Sequence, residues 1–448
     1  MPPKGSKKVV PDPIAPKTLI LDNGAYTIKA GLSSPDTEPN YEDCKVIPNC
    51  IARSRDKRVY IASELEKCVD FGEMAFRRPV ERGFIVNWEA EKAIWEQEFL
   101  SSGADLRCDP KETNLILTEA PNCPAMLQKN CDEMVFEQFE FASYYRCIGP
   151  ALNAYNDIRS LFSDPPPPPH LAHLPPECLL LIDTSYSHTT ITPLYNGRPI
   201  QPALLRLSVG GKVLTNYLKE IASIRHYNML DETYLLNEIK EAVSFVSPQF
   251  STDLERTWKG GLKDRRPLDP SIVVDYVLPD YETRSHGFAR PHDPVKAKIK
   301  RLQPQMGLRE DILPLGNERF AVPELLFSPT DIGMQEAGLP ECVMQSLSSL
   351  PPALQAGMLA NVVVVGGNSL IDGFMERLTS ELRGLAPSNF PVRIERAPDP
   401  IKHTWLGGAR LASSRELLKS VVVTKADYLE HGSTWLGRQF LGGAGAKG

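Results

Sequence analysis

The sequence predicts an α/β fold whose central unit occurs twice. Residues 18–21 and 179–182 are apolar runs short enough for buried strands, and each leads into a carboxylate, Asp22 and Asp183. A third run, 362–365, consists of valine and leads through two glycines into an amphipathic helix. Glycine turns let backbone N–H groups approach an anion, and a helix start adds its dipole. The pattern therefore predicts a nucleotide site between two related strand units.

Length and composition restrict the class of protein. The 448 residues fit two or three domains or one large bilobed unit, and 42% apolar with 24% charged residues is typical of globular proteins. The net charge of −6 gives no overall nucleic-acid signal, so basic segments are judged locally. No apolar run approaches the roughly 18 residues of a membrane span, which predicts no membrane partner. Nine scattered cysteines without a Cys-x-x-Cys pair favour neither zinc nor disulfides.

Local signals identify the first elements along the chain. Residues 1–17 carry lysines and prolines without an apolar stretch, which predicts a disordered basic tail and no secretory signal. This tail is either solvated or a contact for an import receptor or DNA. Asn87 is a typical cap for a helix over 88–100, and 115–118 has the pattern of a strand. A helix with core aromatic residues is expected to follow that strand.

Two unusual segments follow. Residues 165–169 are five prolines, which exclude a helix or an inner strand and predict a polyproline II linker. This linker is either a spacer between lobes or a docking site for a polyproline reader. Residues 283–309 are basic and poor in apolar residues, which predicts a long loop on a hairpin that is either solvated or in contact with a partner or DNA. The candidate contact residues are Lys296, Lys298, Lys300 and Arg301.

Six segments, in the same order along the chain, resemble actin, and the resemblance covers almost everything from residue 18 to residue 440. They are Asp22-Asn23-Gly24, Ile85-Val86-Asn87-Trp88, Leu117-Thr118-Glu119-Ala120-Pro121, Leu315-Gly316-Asn317-Glu318-Arg319-Phe320, Leu385-Ala386-Pro387-Ser388 and Trp405-Leu406-Gly407-Gly408. Two further segments resemble the actin-related protein six subfamily. They are Phe76-Arg77-Arg78-Pro79 and Arg225-His226-Tyr227-Asn228-Met229-Leu230-Asp231-Glu232-Thr233.

This resemblance implies a bilobed actin-like fold: a duplicated mixed-sheet core with flanking helices and a nucleotide cleft between the lobes. The chain would cross the hinge twice, which explains why its linear sequence has no clean domain boundary. The implied units are a first lobe at 18–156 and 403–448 with a small shortened subdomain at 46–76, and a second lobe at 157–402 with an insertion-type subdomain at 210–327 that carries the basic loop 283–309.

The resemblance also implies a site for ATP with Mg²⁺. Lysine suits phosphate as a point charge, glycine permits close backbone approach, and carboxylates suit a hydrated Mg²⁺ ion. The Mg²⁺ ion would be held through water by Asp22 and Asp183. The implied nucleotide residues are Asp22, Asn23 and Gly24 in the first phosphate turn, Lys29 toward the phosphates, Asp183 in the second turn, Gly211, Lys240 and Glu241 on the adenosine side, and Gly366 and Gly367 in the third turn.

Several positions depart from actin. Ala25 and Tyr26 stand where actin has serine and glycine, and Ser185, Tyr186 and Ser187 stand where it has glycine, aspartate and glycine. The glutamine that positions water in actin corresponds to Gly149, and the histidine near that water corresponds to Thr190. Hydrolysis needs a group that orients the nucleophile, so we expect no enzyme activity. The cleft would then hold ATP as a structural clamp or remain empty, and the sequence leaves this choice open.

The same comparison argues against a filament. The loop with which actin grips the next subunit corresponds to residues 51–77, which are shortened here and are expected to enter a helix at Ser63. An open filament needs complementary surfaces at both ends of each subunit. We therefore expect no self-filament.

The subfamily resemblance implies a non-catalytic structural subunit of a SWR-type chromatin-remodelling complex, which exchanges a variant histone into nucleosomes. The implied partners are the motor subunit, a zinc-finger HIT subunit, and histones or the nucleosome, with DNA as a further candidate; the implied location is nuclear, with a minor cytoplasmic pool. The alternative is a nucleotide-binding or slowly hydrolysing actin-like ATPase outside such a complex. A sugar kinase is disfavoured by the damaged second turn. A partner groove would be lined by Tyr144, Tyr145, Trp435 and Phe440, for which packed core is the competing interpretation.

Overall fold

The computed structural model describes residues 14–35, 37–165, 175–258, 269–295 and 310–441. Most of the basic tail, most of the polyproline segment and the loop residues Lys296, Lys298, Lys300 and Arg301 lie outside these residues, so the predictions for them stay predictions. Within the described ranges, no helix is both long and apolar enough to cross a membrane.

The described residues form strands and helices in alternation. The strands are β1 Lys17–Asn23, β2 Thr27–Ser33, β3 Lys45–Pro48, β4 Ile51–Arg53, β5 Val59–Ile61, β6 Ala75–Arg77, β7 Val80–Glu81, β8 Phe84–Ile85, β9 Thr113–Glu119, β10 Ser143–Ile148, β11 Cys178–Thr184, β12 Thr189–Tyr195, β13 Arg198–Pro199, β14 Leu205–Leu207, β15 Val274–Val277, β16 Phe288–Pro291, β17 Ile312–Leu315, β18 Val362–Val365, β19 Ile394–Arg396 and β20 Val423–Thr424. The α-helices are α1 Trp88–Trp95, α2 Ala125–Glu133, α3 Gly149–Leu152, α4 Ile158–Leu161, α5 Gly211–Arg225, α6 Thr233–Val243, α7 Phe250–Thr257, α8 Glu318–Ala321, α9 Leu339–Ser348, α10 Pro352–Leu359, α11 Phe374–Leu385, α12 His403–Ser413, α13 Arg415–Val421 and α14 Lys425–Leu441, which is broken at Gly432.

Two mixed sheets of the same design form the core. One has the order β20-β10-β9-β1-β2-β3 and the other β13-β12-β11-β18-β19, with β14 beside β12. In each sheet an antiparallel hairpin, β1-β2 or β11-β12, lies next to a strand parallel to its first member, β9 or β18. The duplicated α/β core is thereby confirmed. It brings Asp22 opposite Lys29 in one hairpin and Asp183 opposite Thr190 in the other.

The central strands are apolar because both faces of each sheet are covered. Leu19 and Leu21 of β1 pack with α1 in one cluster, whereas Ile20 packs with α12 in another. Likewise Leu180 and Ile182 of β11 belong to the large cluster with α5, α6, α9 and α11, and the alternate leucines of β11 pack against α4 on the other face. Side chains alternate across a strand, so each strand contributes to two cores.

Two small sheets extend from the core, with the orders β5-β4-β6 and β16-β15-β17. The helix expected from Ser63 is a short 3-10 helix, Ala62–Lys67, because Ala62 directly follows β5 and the next strand begins only at residue 75. The prediction of one long loop over 283–309 is wrong in its first part, because Phe288–Pro291 is strand β16. Arg284 and Arg290 of that segment form ion pairs with Glu310 at 3.6 and 3.0 Å.

The predicted helix over 88–100 exists, with the Asn87 side chain accepting a hydrogen bond from the Ala90 amide at 3.2 Å. It is α-helical to Trp95 and continues as one π-turn, Glu96–Leu100. In the predicted partner groove, Tyr144 is fully buried and its ring meets the edge of Phe440 at 5.4 Å. Tyr144 is therefore core and not groove, because it lies on the inner face of β10.

Candidate functional site

A cleft of about 490 Å³ lies where the ends of the two duplicated hairpins face each other. All ten residues named from the sequence line it, although they come from four separate parts of the chain. They are Asp22, Asn23, Gly24, Lys29, Asp183, Gly211, Lys240, Glu241, Gly366 and Gly367. The cleft therefore joins the first turn, the second turn, the third turn and the adenosine-side helices in one site.

The first turn is held by the neighbouring parallel strand. The hydroxyl of Thr118, near the end of β9, donates to Asp22 Oδ1 at 2.8 Å and accepts from the Asn23 amide at 3.0 Å. Lys29 Nζ lies 3.8 Å from Asp22 Oδ2 across the hairpin. A Cβ atom on Gly24 would lie 2.6 Å from the Thr27 carbonyl oxygen, so the close turn requires glycine. One carboxylate and one lysine thus face the cleft from this turn.

In the second turn, the side chain of Ser185 bonds to the carboxylate of the same turn. The Ser185 hydroxyl donates to Asp183 Oδ1 at 2.5 Å, which gives this carboxylate a partner without any ligand. Burial raises the pKa of Asp183 to about 6, the Ser185 hydrogen bond opposes that shift, and the nearby Asp22 charge adds to it. Two carboxylates that destabilise each other in this way suit a divalent cation between them.

The third turn depends on a glycine in a left-handed conformation. Gly366 has φ +93°, and a Cβ atom there would lie 2.3 Å from the Thr184 carbonyl oxygen. The following residue, Gly367, has open space at the position of a Cβ atom. Asn368 ties this turn to the second one, because its Nδ2 donates to the Ser185 carbonyl at 2.9 Å. The Gly366 N–H itself donates to the Pro400 carbonyl at 2.8 Å, so close approach of an anion to this turn depends on the open space at Gly367.

On the adenosine side, Lys240 is bonded within the protein. Its Nζ donates to Asn237 Oδ1 at 2.9 Å, to the Thr215 hydroxyl at 3.1 Å and to the Gly211 carbonyl at 3.4 Å. Burial lowers the pKa of Lys240 to about 8, and the Glu241 charge opposes this shift. A lysine with three internal acceptors has no proton left for a ligand in this arrangement. Lys240 lines the cleft, but its ammonium group is hydrogen-bonded within the protein and stabilises this side of the cleft.

The two tyrosines that depart from actin meet across the cleft. The rings of Tyr26 and Tyr186 lie with centroids 4.7 Å apart and an interplanar angle of 38°. The Arg78 guanidinium covers the Tyr26 ring at 4.4 Å. Asn237 Nδ2 lies 3.2 Å from the Tyr26 hydroxyl and donates to it. Sequence reasoning recognised both positions as departures from actin but gave no indication that the rings would touch, since they lie 160 residues apart.

The positions expected to handle water have no suitable group. Gly149 begins α3, and a Cβ atom there would lie 3.7 Å from Asp22 Oδ1, so a side chain at this place would enter the cleft beside Asp22. Thr190 is 1% exposed, and its hydroxyl has no hydrogen-bond partner among the described residues. Gly149 therefore offers no polar side chain to a water molecule, and Thr190 offers one hydroxyl at the cleft.

Sequence reasoning missed His188 as a cleft residue. It lines the cleft, and its Nδ1 lies 2.6 Å from the Ser187 hydroxyl. Burial lowers its pKa to about 3, and the charge of Arg206 adds to this, so the ring is neutral. Its position one residue after the altered second turn was the only signal. A neutral imidazole bonded to Ser187 fixes the turn.

The residues present fit a nucleotide with Mg²⁺ as a bound group. Asp22 and Asp183 offer two carboxylates, and the first and third turns keep the glycines that backbone contact with phosphate requires. Lys29 is the cation nearest these turns in the described lining. Residues 149 and 190 are glycine and threonine, where the resemblance to actin implies glutamine and histidine.

Comparison with known proteins gives a consistent result. The actin family profile matches residues 15–441. The chain is 52% identical over 445 residues to actin-like protein arp6 of Aspergillus fumigatus, with 95% of each chain covered. It is 50% identical over 432 residues to actin-related protein 6 of Neurospora crassa, with 96% of this chain and 95% of the relative covered. It is 35% identical over 445 residues to actin-related protein 6 of Arabidopsis thaliana, with 94% and 99% covered.

Proposed function

The chain belongs to the actin family, in the group of actin-related protein 6, and on this premise we propose that it is a non-catalytic structural subunit of a nuclear chromatin-remodelling complex. That complex exchanges a variant histone into nucleosomes. The proposal that the subunit is non-catalytic is supported by the cleft. Its turns are kept, but Gly149 and the buried Thr190 stand where actin has the glutamine and histidine near the attacking water. A cleft without a group for the nucleophile serves as structure.

The chromatin role is supported by the two segments that resemble the actin-related protein six subfamily. The segment 225–233 includes exposed apolar side chains: Tyr227 is 44% and Leu230 is 50% exposed, next to Ile224 at 85%. Apolar side chains grouped on a surface are typical of a protein interface. The partners we propose are the remodeller motor subunit, a zinc-finger HIT subunit, and histones or the nucleosome, in the nucleus with a minor cytoplasmic pool.

ATP with Mg²⁺, when bound, would bring negatively charged phosphates and a cation into the cleft. Turns from both mixed sheets could contact this ligand at the same time. Asp22 and Asp183 would face the hydrated ion, and the backbone of the first and third turns would face the phosphates. Such a ligand stabilises the closed arrangement by mass action without any reaction. Lys29 would stay next to Asp22 and supply the positive charge of the first turn.

Complex membership is tested by tagging the chain, purifying it from nuclei and measuring exchange of the variant histone by the purified assembly. We expect the assembly without this chain to lose exchange, and the added chain to restore it. Tyr227→Ala with Leu230→Ala should weaken assembly, whereas Tyr195→Ala, an exposed tyrosine elsewhere, should not. A chain that never enters a nuclear assembly, or exchange that proceeds unchanged without it, would refute the proposal.

DNA contact is a separate part of the proposal. Charge reversal at Lys296, Lys298, Lys300 and Arg301, which lie outside the described residues, should weaken nucleosome binding and reduce its salt dependence. Unchanged affinity at low salt would exclude DNA contact by this loop.

A second candidate function is an actin-like ATPase outside such a complex. It is favoured by the arrangement of all ten predicted nucleotide residues around one cleft. The two candidates differ in what the freshly purified protein releases when it is denatured and the nucleotide is separated by chromatography. ATP in near-stoichiometric amount indicates a structural clamp, and no nucleotide indicates a pure scaffold. Protein loaded with ATP that later releases ADP would favour the ATPase.

A further inference from the structure

Tyr26 lies between the two halves of the molecule at the cleft. It comes from the turn between β1 and β2, and its ring contacts Tyr186 of the second lobe, while the Arg78 guanidinium of the first lobe lies 4.4 Å from the Tyr26 centroid and 5.7 Å from the Tyr186 centroid. Arg78 is fixed by its own backbone contacts, because Nη1 donates to the carbonyls of Tyr26 and Asn49 at 3.1 and 3.4 Å. The result is a cluster of one guanidinium and two tilted rings, Arg78, Tyr26 and Tyr186, that spans the lobes.

The hydroxyl of Tyr26 reaches further into the second lobe. It accepts a hydrogen bond from Asn237 Nδ2, which also donates to Glu241 Oε1 at 2.7 Å. The Oδ1 atom of Asn237 accepts from Lys240 and Thr215. Tyr26 is therefore bonded to the network that forms the adenosine-side wall. Burial raises the pKa of Tyr26, so its hydroxyl keeps its proton at neutral pH.

The Tyr26 ring also divides the space between the lobes. It lines both the inner cleft and a second, outer cavity of about 380 Å³. Tyr186 lines only the inner cleft and Arg78 only the outer cavity. The cluster of Arg78, Tyr26 and Tyr186 therefore separates the two spaces. The resemblance to actin implies only a glycine at the position of Tyr26.

Helix α6, which carries Asn237, also makes aromatic contacts with the first lobe. Tyr234, one turn before Asn237 on α6, stacks on Phe71 at 4.4 Å and on Phe76 at 5.7 Å, with interplanar angles of 4° and 9°. Both phenylalanines belong to the small subdomain of the first lobe. Arg206 of the second lobe donates to the Arg82 carbonyl at 2.7 Å. Helix α6 therefore contacts two separate parts of the first lobe, the Tyr26 turn through Asn237 and the small subdomain through Tyr234. The Arg206 contact comes from β14 and is additional.

We propose that Tyr26 is a lock that holds the two lobes of this chain closed without a nucleotide. In a cleft held by its ligand, loss of the ligand shifts the population toward the open state. Here the closed state has its own contacts across the opening, so ligand removal leaves it populated. The inference concerns the isolated chain and does not rest on a place in chromatin, so it fails or succeeds independently of the histone-exchange assay.

The test is hydrogen exchange of the isolated chain, stripped of nucleotide and Mg²⁺ and then supplied with Mg²⁺ and ATP. In the unmodified protein we expect the amides of α6 and of residues 51–77 to be equally protected in both states. Tyr26→Ala should lower their protection by about tenfold in the stripped state, and Mg²⁺ with ATP should restore part of it. Tyr26→Phe, which keeps the ring and loses the Asn237 bond, should lie between. Tyr195→Ala is the matched control and should behave like the unmodified protein.

Two results would overturn the lock. One is a stripped, unmodified protein that loses protection of α6, because its closure would then depend on the ligand. The other is a folded Tyr26→Ala protein that exchanges like the unmodified one. If Tyr26→Ala fails to fold, Tyr26→Phe takes its place: a Tyr26→Phe protein that exchanges like the unmodified one in the stripped state would then overturn the lock.

Discussion

Glu91 is a fully buried carboxyl group directly behind the first turn of the cleft. Its Oε1 accepts a hydrogen bond from Trp95 Nε1 at 3.0 Å. Burial raises its pKa to about 7, and the hydrogen bond from Trp95 opposes that shift. Asn49, beside the same turn, donates to the Gly24 carbonyl at 2.9 Å, and the second oxygen of Glu91 has no hydrogen-bond partner among the described residues.

Replacement of Glu91 by glutamine should change how stability depends on pH. The folded state keeps the proton to about pH 7, whereas the unfolded state loses it near 4.5, so the group contributes its stability below pH 4.5 and loses it as pH rises to 7. Glu91→Gln should match the original protein near pH 4 and exceed its free energy of unfolding by about 3 kcal/mol near pH 9. Urea unfolding at both pH values measures this. Glu89→Gln, exposed on the same helix, is the control, and an equal difference at both pH values would contradict the prediction.

The missing water-side groups predict a gain of function. Gly149→Gln with Thr190→His should raise single-turnover phosphate release from ATP by about a hundredfold, because a positioned group of this kind contributes that order of acceleration. Gly149→Ala is the control that adds a Cβ atom without a polar group. A double variant that binds ATP and still releases phosphate at the original rate would show that these two residues are not what hydrolysis lacks.

The individual cleft residues could be predicted because their signals are local. Asp22 and Asp183 end apolar strands, and Gly366 and Gly367 follow a run of valines. The lock could not be predicted in this way. Contact between the Tyr26 and Tyr186 rings depends on how two sheets face each other, and the internal bonding of Lys240 depends on the packing of α5 against α6. No local pattern encodes either arrangement.

At the scale of elements, the buried ion pair of Arg146 and Asp132 joins β10 to α2. Both side chains are 2% exposed, with Arg146 Nε 3.1 Å from Asp132 Oδ1, and Arg146 also donates to Glu119 at 2.8 Å. The long strands and the first helix were predictable because their periodicity and caps are strong. The π-turns after α1 and α2 and the 3-10 helix after β5 were not, since tertiary packing selects such short departures.

Loss of one partner of this pair should be costly. Arg146→Met leaves the Asp132 carboxylate buried and unpaired, and should lower the free energy of unfolding by about 3 to 5 kcal/mol in urea denaturation. Arg146→Met combined with Asp132→Leu should recover most of that loss, because the Asp132 carboxylate is removed as well and Glu119 keeps its hydrogen bond from Gln128 Nε2 at 2.7 Å. Lys129→Met, from an exposed pair on the same helix, should change stability by less than about 1 kcal/mol. A double variant as unstable as the single one would contradict this account.

At the scale of the whole molecule, the prediction concerns self-association. The small subdomain consists of three short strands and one 3-10 helix, without most of the loop with which actin grips its neighbour. The protein should therefore stay in the supernatant after high-speed centrifugation in polymerising salt with Mg²⁺, at concentrations where actin pellets. Substantial pelleting of folded protein would refute the prediction of no filament.

The central claim is that the whole molecule is a closed, non-catalytic structural unit. Its most direct test is single-turnover phosphate release, with the protein in excess over γ-labelled ATP and Mg²⁺. The account predicts no release above the rate in buffer alone over several hours. Phosphate release that increases with protein concentration and is abolished by Asp183→Ala would contradict it.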